Sequence, residues 1–440
     1  MSNDKFITPR KLNGFWELMP KEQILFSQML ATIEGVFKTN CFLPLDTPVL
    51  EYSEVLLAKS GGDTDKEVYR LIKGDTDMCM RYDLTVPLSR FVAMHQNELN
   101  FPFKRYQIGK VYRGERPQKG RFREFYQCDA DIIGNESLPM VADAECVYLY
   151  EKCFEALNLK TNVHISNRKI LAGYIEELDK TKVSNDIFIV LDKLNKISLE
   201  TAISMLNELG LTEQESQNLI KLTKMCGNFE EIKQNLCNFS KNDLFLQGLS
   251  ELEEVANAIK LMGVKNAIFD LSIIRGHNYY TGTVFEAFLK NEETSIAIGG
   301  GGRYDNLCGF FSEKKMPGVG MSIGITRLFD LLLKSDYFSQ KQTNEVECAI
   351  ITFDETFDFG LTLLAQLRNN DIKAECLYAS KSFKNKMKEA NRRQIKYVLI
   401  IGEDEVNSKI YTLKDMETSE QFKLTLQEVA EKIKSDRMCN

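Results

Sequence analysis

The sequence has little histidine and no closely paired cysteines. Its 440 residues include three histidines and eleven cysteines, and no two cysteines are spaced as Cys-x-x-Cys. An odd number of scattered cysteines is typical of free thiols in a reducing compartment, so we expect neither a disulfide framework nor a zinc site. The first residues lack the layout of a signal peptide, and no apolar run reaches the roughly 18 residues of a membrane helix. We therefore expect a cytoplasmic protein without a membrane segment.

The common glycine-rich phosphate-binding loops are also missing. The chain contains neither G-x-x-x-x-G-K-[ST] nor a G-x-G-x-x-G that opens a helix after a strand. A net charge of −7 argues against general electrostatic attraction to nucleic acid, although it leaves room for local basic patches. Any phosphate group must therefore be held in another way, for example by arginines on strands.

The spacing of apolar residues predicts an α+β fold with several parts. Helical periodicity is clear at 21–40, and the segment 42–52, which contains Pro48, is predicted to be an edge strand. The texture becomes helical over 166–265, where Thr212 and Glu215 form a capping-box pattern. The last hundred residues alternate short apolar strands with helical segments, as in a small α/β domain. We predict a body formed by 1–165 and 266–335, a helical insertion at 166–265, and an α/β module at 343–440.

The densest chemical signal is YRGERPQKGRFREFYQCDADIIG, which covers residues 112–134. If its second half is a strand, the period of two places one cation, one aromatic ring, one amide and two carboxylates on the same face. Guanidinium groups suit phosphate oxygens, and an aromatic ring suits a base. A solvated hairpin with internal ion pairs would also explain the crowding. The face consists of Arg123, Phe125, Gln127, Asp129 and Asp131.

Five stretches together resemble the histidyl-tRNA synthetase family, a class II aminoacyl-tRNA synthetase family. In chain order they are RYDLTVPLSRF (81–91), the arginine-rich hairpin (112–134), IRGHNYYTGTVFEAF (274–288), GGGGRYDNL (299–307) and GVGMSIGITRL (318–328). The C-terminal module, with YVLIIGEDE and YTLKDMETSEQ, resembles the anticodon-binding domain of that family. The resemblance implies a catalytic domain built on an antiparallel sheet, with a helical insertion.

The implied reaction joins L-histidine to ATP and then transfers the histidyl group to the 3′ end of tRNA(His). Two anions must approach each other in the first step, so fixed positive charge is the main requirement. By resemblance, Arg113 and Arg275 would contact the α-phosphate, Mg²⁺ would bridge the outer phosphates, and adenine would lie between Phe125 and Arg327. The implied catalytic residues are Arg113, Arg275 and Arg327, and the implied ATP-binding residues are Arg113, Glu115, Arg121, Phe125 and Arg327.

The resemblance also implies a pocket for the amino acid. Asp83, Thr85 and Gln127 match the residues that hold its ammonium group, and Asp131 and Tyr280 match the partners of the imidazole ring. A pocket that pairs with both ring nitrogens rejects amino acids that lack them. The implied histidine-binding residues are Asp83, Leu84, Thr85, Arg113, Gln127, Asp131, Arg275, Tyr279 and Tyr280.

His277 is expected to have a structural role although it lies in a family motif. The attacking carboxylate is already ionised at neutral pH, so the first step needs no protein base. The family usually has an apolar residue at this position, an aspartate at the position of Asn278 and a glutamate at the position of Thr326. His95 and His164 lie outside the motifs and are also interpreted as structural.

Two regions are candidates for contact with tRNA. A basic stripe recurs at helical spacing in 381–396, where it is either a solvated helix face or a phosphate-binding surface. The charged loop of the hairpin is the candidate for the acceptor end. The residues concerned are Arg116, Gln118, Lys384, Lys388 and Arg392. The resemblance further implies a homodimer with the helix at 21–40 and the following strand in its interface.

Two alternatives remain at this stage. One is a non-catalytic, histidine-binding paralogue that regulates ATP phosphoribosyltransferase and lacks the anticodon-binding domain. The other is a related synthetase for a different amino acid. The phosphate-facing arginines and the C-terminal module favour the histidine enzyme over the first, and the motifs around 83 and 279 favour it over the second.

Overall fold

A computed structural model describes residues 7–58, 67–116, 120–194, 196–274, 279–290, 296–339, 343–378 and 382–439. The chain divides into two compact units. The first comprises Met1–Glu17 and Phe26–Phe338, and the second comprises Leu18–Leu25 and Ser339–Asn440.

The strands of the first unit form a nine-stranded sheet and a three-stranded sheet. The order in the large sheet is β1-β5-β6-β12-β11-β10-β7-β9-β8, and β2-β4-β3 is the order in the small one. In the large sheet only the pairs β1–β5 and β7–β9 are parallel. The strands are β1 (Leu43–Pro44), β2 (Leu50–Tyr52), β3 (Arg70–Lys73), β4 (Thr76–Met80), β5 (Phe103–Tyr112), β6 (Glu124–Ile133), β7 (Thr161–Asn167), β8 (Cys226–Gly227), β9 (Ala267–Asp270), β10 (Thr283–Leu289), β11 (Ala297–Tyr304) and β12 (Gly318–Ile323).

The helices of this unit include a run of six between β7 and β9. The first helix, α1, has residues in both units. In chain order they are α1 (Pro20–Thr39), α2 (Ser53–Leu56), α3 (Thr85–His95), α4 (Val141–Ala156), α5 (Arg168–Glu177), α6 (Ser184–Asp192), α7 (Leu199–Glu208), α8 (Glu213–Thr223), α9 (Phe229–Leu236), α10 (Asp243–Leu261) and α11 (Ile325–Leu333). No helix in the described ranges is long and apolar enough to cross a membrane.

The second unit contains a five-stranded sheet, whose strands lie in the order Ala374–Cys376, Cys348–Thr352, Tyr397–Ile401, Tyr411–Asp415 and Gln421–Leu424. Its first three strands are parallel to one another, whereas the last two pair antiparallel. The elements are β13 (Cys348–Thr352), α12 (Phe357–Asn369), β14 (Ala374–Cys376), α13 (Phe383–Arg392), β15 (Tyr397–Ile401), α14 (Glu403–Ser408), β16 (Tyr411–Asp415), β17 (Gln421–Leu424) and α15 (Leu426–Cys439).

This architecture confirms the predicted α+β class with a C-terminal α/β module. The capping box is present, because the Glu215 N–H donates to Thr212 Oγ1 at 3.3 Å and the Thr212 N–H donates to Glu215 Oε2 at 2.7 Å. The segment around Pro48 lies at sheet edges as predicted, but it is not one continuous strand. The segment forms β1 and β2, which belong to different sheets, and Pro48 lies between them, where a missing N–H interrupts no ladder. The limits proposed for the helical insertion stay a prediction.

Helix α4 packs on one face of the large sheet and leaves the other face for the pocket described below. The Tyr150 hydroxyl donates to the Ser322 carbonyl at 2.8 Å, and its ring meets Phe285 edge-on at 5.9 Å between ring centroids. A buried ion pair adds to this packing. Arg303 Nε lies 3.1 Å from Asp143 Oδ2, and Arg303 Nη1 donates to the Leu138 carbonyl at 3.0 Å. Both side chains are at most 4% exposed, so the charges are removed from water together.

Asp143→Ala should destabilise the first unit strongly, because it leaves the Arg303 charge buried without its partner. A loss of roughly 3–5 kcal/mol is expected from removing one member of a buried pair. The readout is the shift of the urea midpoint followed by circular dichroism. Glu155→Ala, which removes the exposed pair with Lys152 on the same helix, is the control and should shift the midpoint little. Equal shifts in the two variants would contradict a stabilising role for the buried pair.

Candidate active site

One pocket lies above the central strands β6, β11 and β12 and collects most of the predicted site residues. The glycines of β11 form part of its floor, so Gly299–Gly302 belongs to a strand and not to a flexible turn. The predicted residues that line the pocket are Asp83, Thr85, Arg113, Glu115, Arg121, Phe125, Gln127, Asp131, Tyr279, Tyr280 and Arg327.

The pairing register explains why these side chains meet. Asp131 on β6 lies opposite Gly320 on β12, and Asp129 lies opposite Ser322. Paired residues of adjacent strands project to the same face, so the alternation predicted for the hairpin carries Asp129 and Asp131 to the pocket side. A Cβ atom at Gly320 would come within 1.9 Å of Asp131 Oδ1. Only glycine therefore leaves room for this carboxylate to cross the neighbouring strand.

Asp131 is anchored beneath the pocket by two groups that the sequence analysis did not assign to the site. Arg105 Nη2 lies 2.7 Å from Asp131 Oδ2, and the Tyr304 hydroxyl donates to Asp131 Oδ1 at 2.6 Å. The same guanidinium donates to the Leu84 carbonyl at 3.1 Å. Arg105 and Tyr304 are buried, so the carboxylate has a fixed position.

The amino-acid side of the pocket is rich in unused hydrogen-bond acceptors. Three buried oxygens, on Asp83, Gln127 and Asp129, have no hydrogen-bond donor among the described residues. Leaving buried polar atoms unpaired is costly, and native proteins do so rarely. The arrangement therefore suits a ligand that carries positive charge and several N–H donors.

Burial raises the pKa of the three carboxyl groups in this region. The pKa of Asp83 rises to about 6 because of burial, which the Val86 N–H and Arg113 only partly offset. Burial raises the pKa of Asp129 to about 7, and Asp131 adds to the effect while Arg105 opposes it. Burial also raises the pKa of Asp131. A bound cation would favour the ionised forms, so ligand charge and carboxylate ionisation are coupled.

The opposite side of the pocket is crowded with arginines. Arg327 donates from Nε to the Gly120 carbonyl at 2.9 Å and from Nη1 to the Ala297 carbonyl at 3.0 Å. Burial lowers the pKa of Arg327, and the positive charges of Arg121 and Arg113 lower it further. Guanidinium groups that repel one another in this way mark a site for an anion with several negative oxygens.

Phe125 and Glu115 lie between these arginines. The guanidinium of Arg113 lies over the Phe125 ring at 5.2 Å from its centroid, and Arg113 Nε donates to the Tyr82 carbonyl at 3.1 Å. Glu115 forms an ion pair with Arg121, in which Glu115 Oε2 lies 3.1 Å from Arg121 Nη1. A flat aromatic ring beside fixed cations is a suitable surface for a nucleobase attached to phosphates.

Other predicted residues lie away from the pocket surface or outside the described part of the chain. Leu84 is fully buried and contributes its carbonyl to Arg105, whereas Arg116 is exposed at the loop. The predictions for Gln118, Arg275, His277 and Asn278 fall on residues outside the described ranges. The basic stripe Lys384, Lys388 and Arg392 is exposed on α13 of the second unit.

Thr326 joins α11 to β6. Its hydroxyl accepts a hydrogen bond from the Tyr126 N–H at 2.8 Å, which holds the helix that carries Arg327 against the hairpin strand. The residue that departs from the family pattern therefore retains a hydrogen bond at this position.

The sequence analysis missed Arg105, Asp129, Ser322 and Tyr304 as site residues. Asp129 shares the predicted face of β6, and Ser322 and Tyr304 lie within quoted motifs, so these signals were present. Ser322 accepts from Gln127 Nε2 at 2.7 Å, which orients the amide. Arg105 had no such signal, because a lone arginine in a strand is usually exposed.

Comparisons with known proteins agree with this geometry. The family model described as Histidyl-tRNA synthetase matches residues 14–328, and the Anticodon binding domain model matches residues 347–436. The chain is 45% identical over 428 residues to a histidine–tRNA ligase of Clostridium acetobutylicum, covering 96% of this chain and 99% of that protein. It is 41% identical to the Clostridium tetani protein of the same name, covering 98% and 99%.

Solved structures give the same result. The crystal structure of histidyl-tRNA synthetase from Nostoc sp. PCC 7120 superimposes with a TM-score of 0.87 at 33% identity, covering 98% of this chain and 100% of that chain. The match includes both units. The chain belongs to the histidyl-tRNA synthetase family.

Proposed function

We propose that this protein is a histidine–tRNA ligase that activates L-histidine with ATP and transfers the histidyl group to the 3′ end of tRNA(His). The observation that carries the proposal is the division of one pocket into two sides. One side has three buried, unpaired acceptors on Asp83, Gln127 and Asp129, and the other has the clustered guanidinium groups of Arg113, Arg121 and Arg327. An amino acid with a cationic ammonium group and a triphosphate fit these two sides.

The acceptor side supports binding of histidine. Asp83, Thr85 and Gln127 would hold the ammonium group, since buried carboxylate and amide oxygens accept from its N–H groups. Asp131 and Tyr280 would pair with the two imidazole nitrogens, with Tyr279 packed beside them. Rings that lack those nitrogens would leave buried acceptors unpaired, which is how such a pocket rejects them.

The arginine side supports binding of ATP. Arg121 and Arg327 would hold the outer phosphates, and Arg113 would contact the α-phosphate. Adenine would lie between Phe125 and Arg327, and Glu115 would accept from its amino group. Glu286, whose charge also acts on Arg327, would be the carboxylate available to an Mg²⁺ ion beside the phosphates, because Glu115 is assigned to adenine. When bound, Mg²⁺ supplies further neutralisation of the phosphate charge.

The first step then needs positioning and positive charge more than proton transfer. The histidine carboxylate attacks the α-phosphorus, a new C–O–P linkage forms, and the bond to pyrophosphate breaks. Arg113, Arg275 and Arg327 would stabilise the charge that builds up on the phosphate oxygens. His277 takes no part as a base in this proposal. In the second step a terminal hydroxyl of tRNA attacks the activated carbonyl, and AMP leaves.

The second unit supports a tRNA surface. Lys384, Lys388 and Arg392 are exposed along α13, whereas Lys386 is buried and donates to the Thr352 carbonyl at 2.9 Å. Beside the stripe, the rings of Phe353 and Phe383 stack at 5.9 Å with an interplanar angle of 8°. These two rings are 43% and 40% exposed. Exposed aromatic rings flanked by lysines are suited to unpaired bases and their phosphates. Arg116 and Gln118 would contact the acceptor end.

Exposed apolar side chains in the first unit support a homodimer. They are contributed by β1, β2, β3 and α3, and several are more than half exposed. Tyr52 and Leu71 both lie opposite Met78 in the small sheet and so share one face, and exposed apolar side chains that lie together mark interaction surfaces. The residues are Leu43, Leu50, Tyr52, Leu71, Ile72 and Met94.

We place the protein in the cytoplasm, where the free thiols of the described cysteines would stay reduced.

The regulatory paralogue is the main alternative. A solved structure from Bacillus halodurans titled as an ATP phosphoribosyltransferase regulatory subunit/histidyl-tRNA synthetase has a TM-score of 0.74, but at 20% identity it shows the fold alone. The match of residues 347–436 to the anticodon-binding family favours the ligase.

ATP–pyrophosphate exchange assayed separately with each amino acid tests the proposed function. We expect exchange that depends on histidine, because only its ring and ammonium group satisfy the acceptor side together. Arg113→Ala is the matched control for the chemistry and should lower the exchange rate by roughly 10²–10³ while the protein stays folded. Exchange with another amino acid, or none with any, would refute the assignment.

The tRNA surface should act on charging without affecting exchange. Lys384→Glu combined with Lys388→Glu should raise the KM for tRNA. The slope of the logarithm of the tRNA binding constant against the logarithm of the salt concentration should fall in magnitude by about one for each lost phosphate contact. Phe383→Ala should weaken tRNA binding roughly tenfold, as expected for one stacked base. Lys373→Glu, an exposed lysine of the same unit, is the control. If charging by the α13 variants matches that of Lys373→Glu, tRNA does not bind this surface.

A further inference from the structure

A second cluster of reactive side chains lies in the large sheet, outside the residues that line the pocket. His164, Cys226 and Asp270 each offer one ligand atom, and these atoms lie within 4.8 Å of one another. Among the residues that the structure describes, this is the one group of three or more His, Cys, Asp or Glu side chains with donor atoms close enough to share a metal ion.

The sheet topology brings these three residues together from distant parts of the chain. His164 on β7 pairs with Ile268 on β9, so Asp270, two residues further along β9, projects to the same face as His164. Cys226 on β8 is the direct cross-strand partner of Asp270. Three adjacent strands therefore present one nitrogen, one sulfur and one oxygen donor on one face.

Hydrogen bonds already orient the carboxylate and the imidazole. The backbone N–H and the hydroxyl of Ser272 donate to Asp270 Oδ1 at 2.9 Å and 2.6 Å. The other oxygen, Oδ2, lies 2.7 Å from His164 Nδ1. The imidazole meets the ring of Phe288 edge-on at 4.9 Å between centroids. Ser272 and Phe288 lie outside the three proposed ligands, and outer groups that fix the orientation of ligands are typical of protein metal sites.

We propose that His164, Cys226 and Asp270 form a binding site for one divalent ion of the zinc class. Zinc binds thiolate, imidazole and carboxylate at about 2.0–2.3 Å, which places the ligand atoms of a tetrahedral site roughly 3.3–3.8 Å apart. The three ligand atoms lie within 4.8 Å of one another, and His164 Nδ1 and Asp270 Oδ2, which are 2.7 Å apart, would exchange their hydrogen bond for bonds to the ion. A nitrogen–sulfur–oxygen set favours zinc-like ions over Mg²⁺, which prefers oxygen ligands alone.

The site has one open position and one accessible ligand. Cys226 is exposed, whereas Asp270 is only 8% exposed, so an ion can enter from solvent and reach a partly buried carboxylate. Water or a donor from another molecule would complete four-fold coordination. The expectation of no zinc site rested on the absence of closely spaced cysteines. Ligands as far apart in sequence as 164, 226 and 270 produce no such motif.

The ion would fasten the short strand β8 to the large sheet. β8 has two residues and pairs only through Cys226 and Gly227 with Asp270 and Phe269. It precedes α9 in the helical segment between β7 and β9. A bond from Cys226 to an ion shared with β7 and β9 would hold this segment in register with the sheet, so zinc should raise the thermal midpoint.

Cobalt substitution tests the proposal on the full-length chain. The purified protein is stripped with EDTA, dialysed and titrated with Co²⁺ while the near-ultraviolet absorption from sulfur-to-cobalt charge transfer is followed. We expect one equivalent to bind with this band and Zn²⁺ to displace it. Cys226→Ser should abolish the band, and Cys237→Ser, which alters another exposed cysteine nearby in the same segment, should retain it.

Two further variants separate a built site from a reactive thiol. Asp270→Asn and His164→Gln should each weaken Zn²⁺ binding by at least tenfold in competition with a chromogenic chelator. If either variant fails to fold, the wild-type stoichiometry and the cysteine pair decide the outcome. Absence of a stoichiometric band, or an equal band in Cys226→Ser and wild type, would overturn the proposal and leave His164 and Asp270 as a hydrogen-bonded pair.

Discussion

The ion pair between Arg105 and Asp131 is the interaction on which the pocket depends. Both side chains are buried, and burying two charges costs free energy that only good geometry and further hydrogen bonds can offset. Tyr304 and the Leu84 carbonyl provide those bonds, and Gly320 provides the space. Arg105 occupies the floor with a permanent charge, so Asp131 can remain a carboxylate at a depth where burial alone would favour its protonation.

The same constraint separates the two sides of the site. The carboxylates of Asp83, Asp129 and Asp131 gather where a cationic ligand is expected, and the guanidinium groups of Arg113 and Arg327 gather where phosphates are expected. Like charges on each side repel one another, and a ligand of opposite charge would relieve that repulsion. The proposed binding of the two substrates next to each other would therefore follow from the electrostatics of the sheet, without a glycine-rich phosphate loop.

The strand face that lines the pocket could be predicted from the sequence, because the period-two alternation of side chains in a strand depends only on local geometry. The face of β6 that carries Phe125, Gln127 and Asp131 was predicted correctly for that reason. The division of 42–52 into two strands was not, because the sheet that each half joins is a long-range choice. The roles of Arg105 and of the cluster of His164 and Asp270 were not predicted for the same reason, because only strand order and register bring such distant residues together.

We propose that the anchored Asp131 carboxylate accepts a hydrogen bond from a ring nitrogen of histidine. The most direct test of this claim is the ratio of kcat/KM in pyrophosphate exchange for histidine and for β-(2-thienyl)alanine, a similar ring without nitrogen. We expect kcat/KM of the wild type to be roughly 10⁴ times or more higher for histidine than for the analogue. In Asp131→Ala, folded by circular dichroism, the ratio should collapse because histidine loses activity while the analogue does not. An unchanged ratio in this variant would contradict the claim.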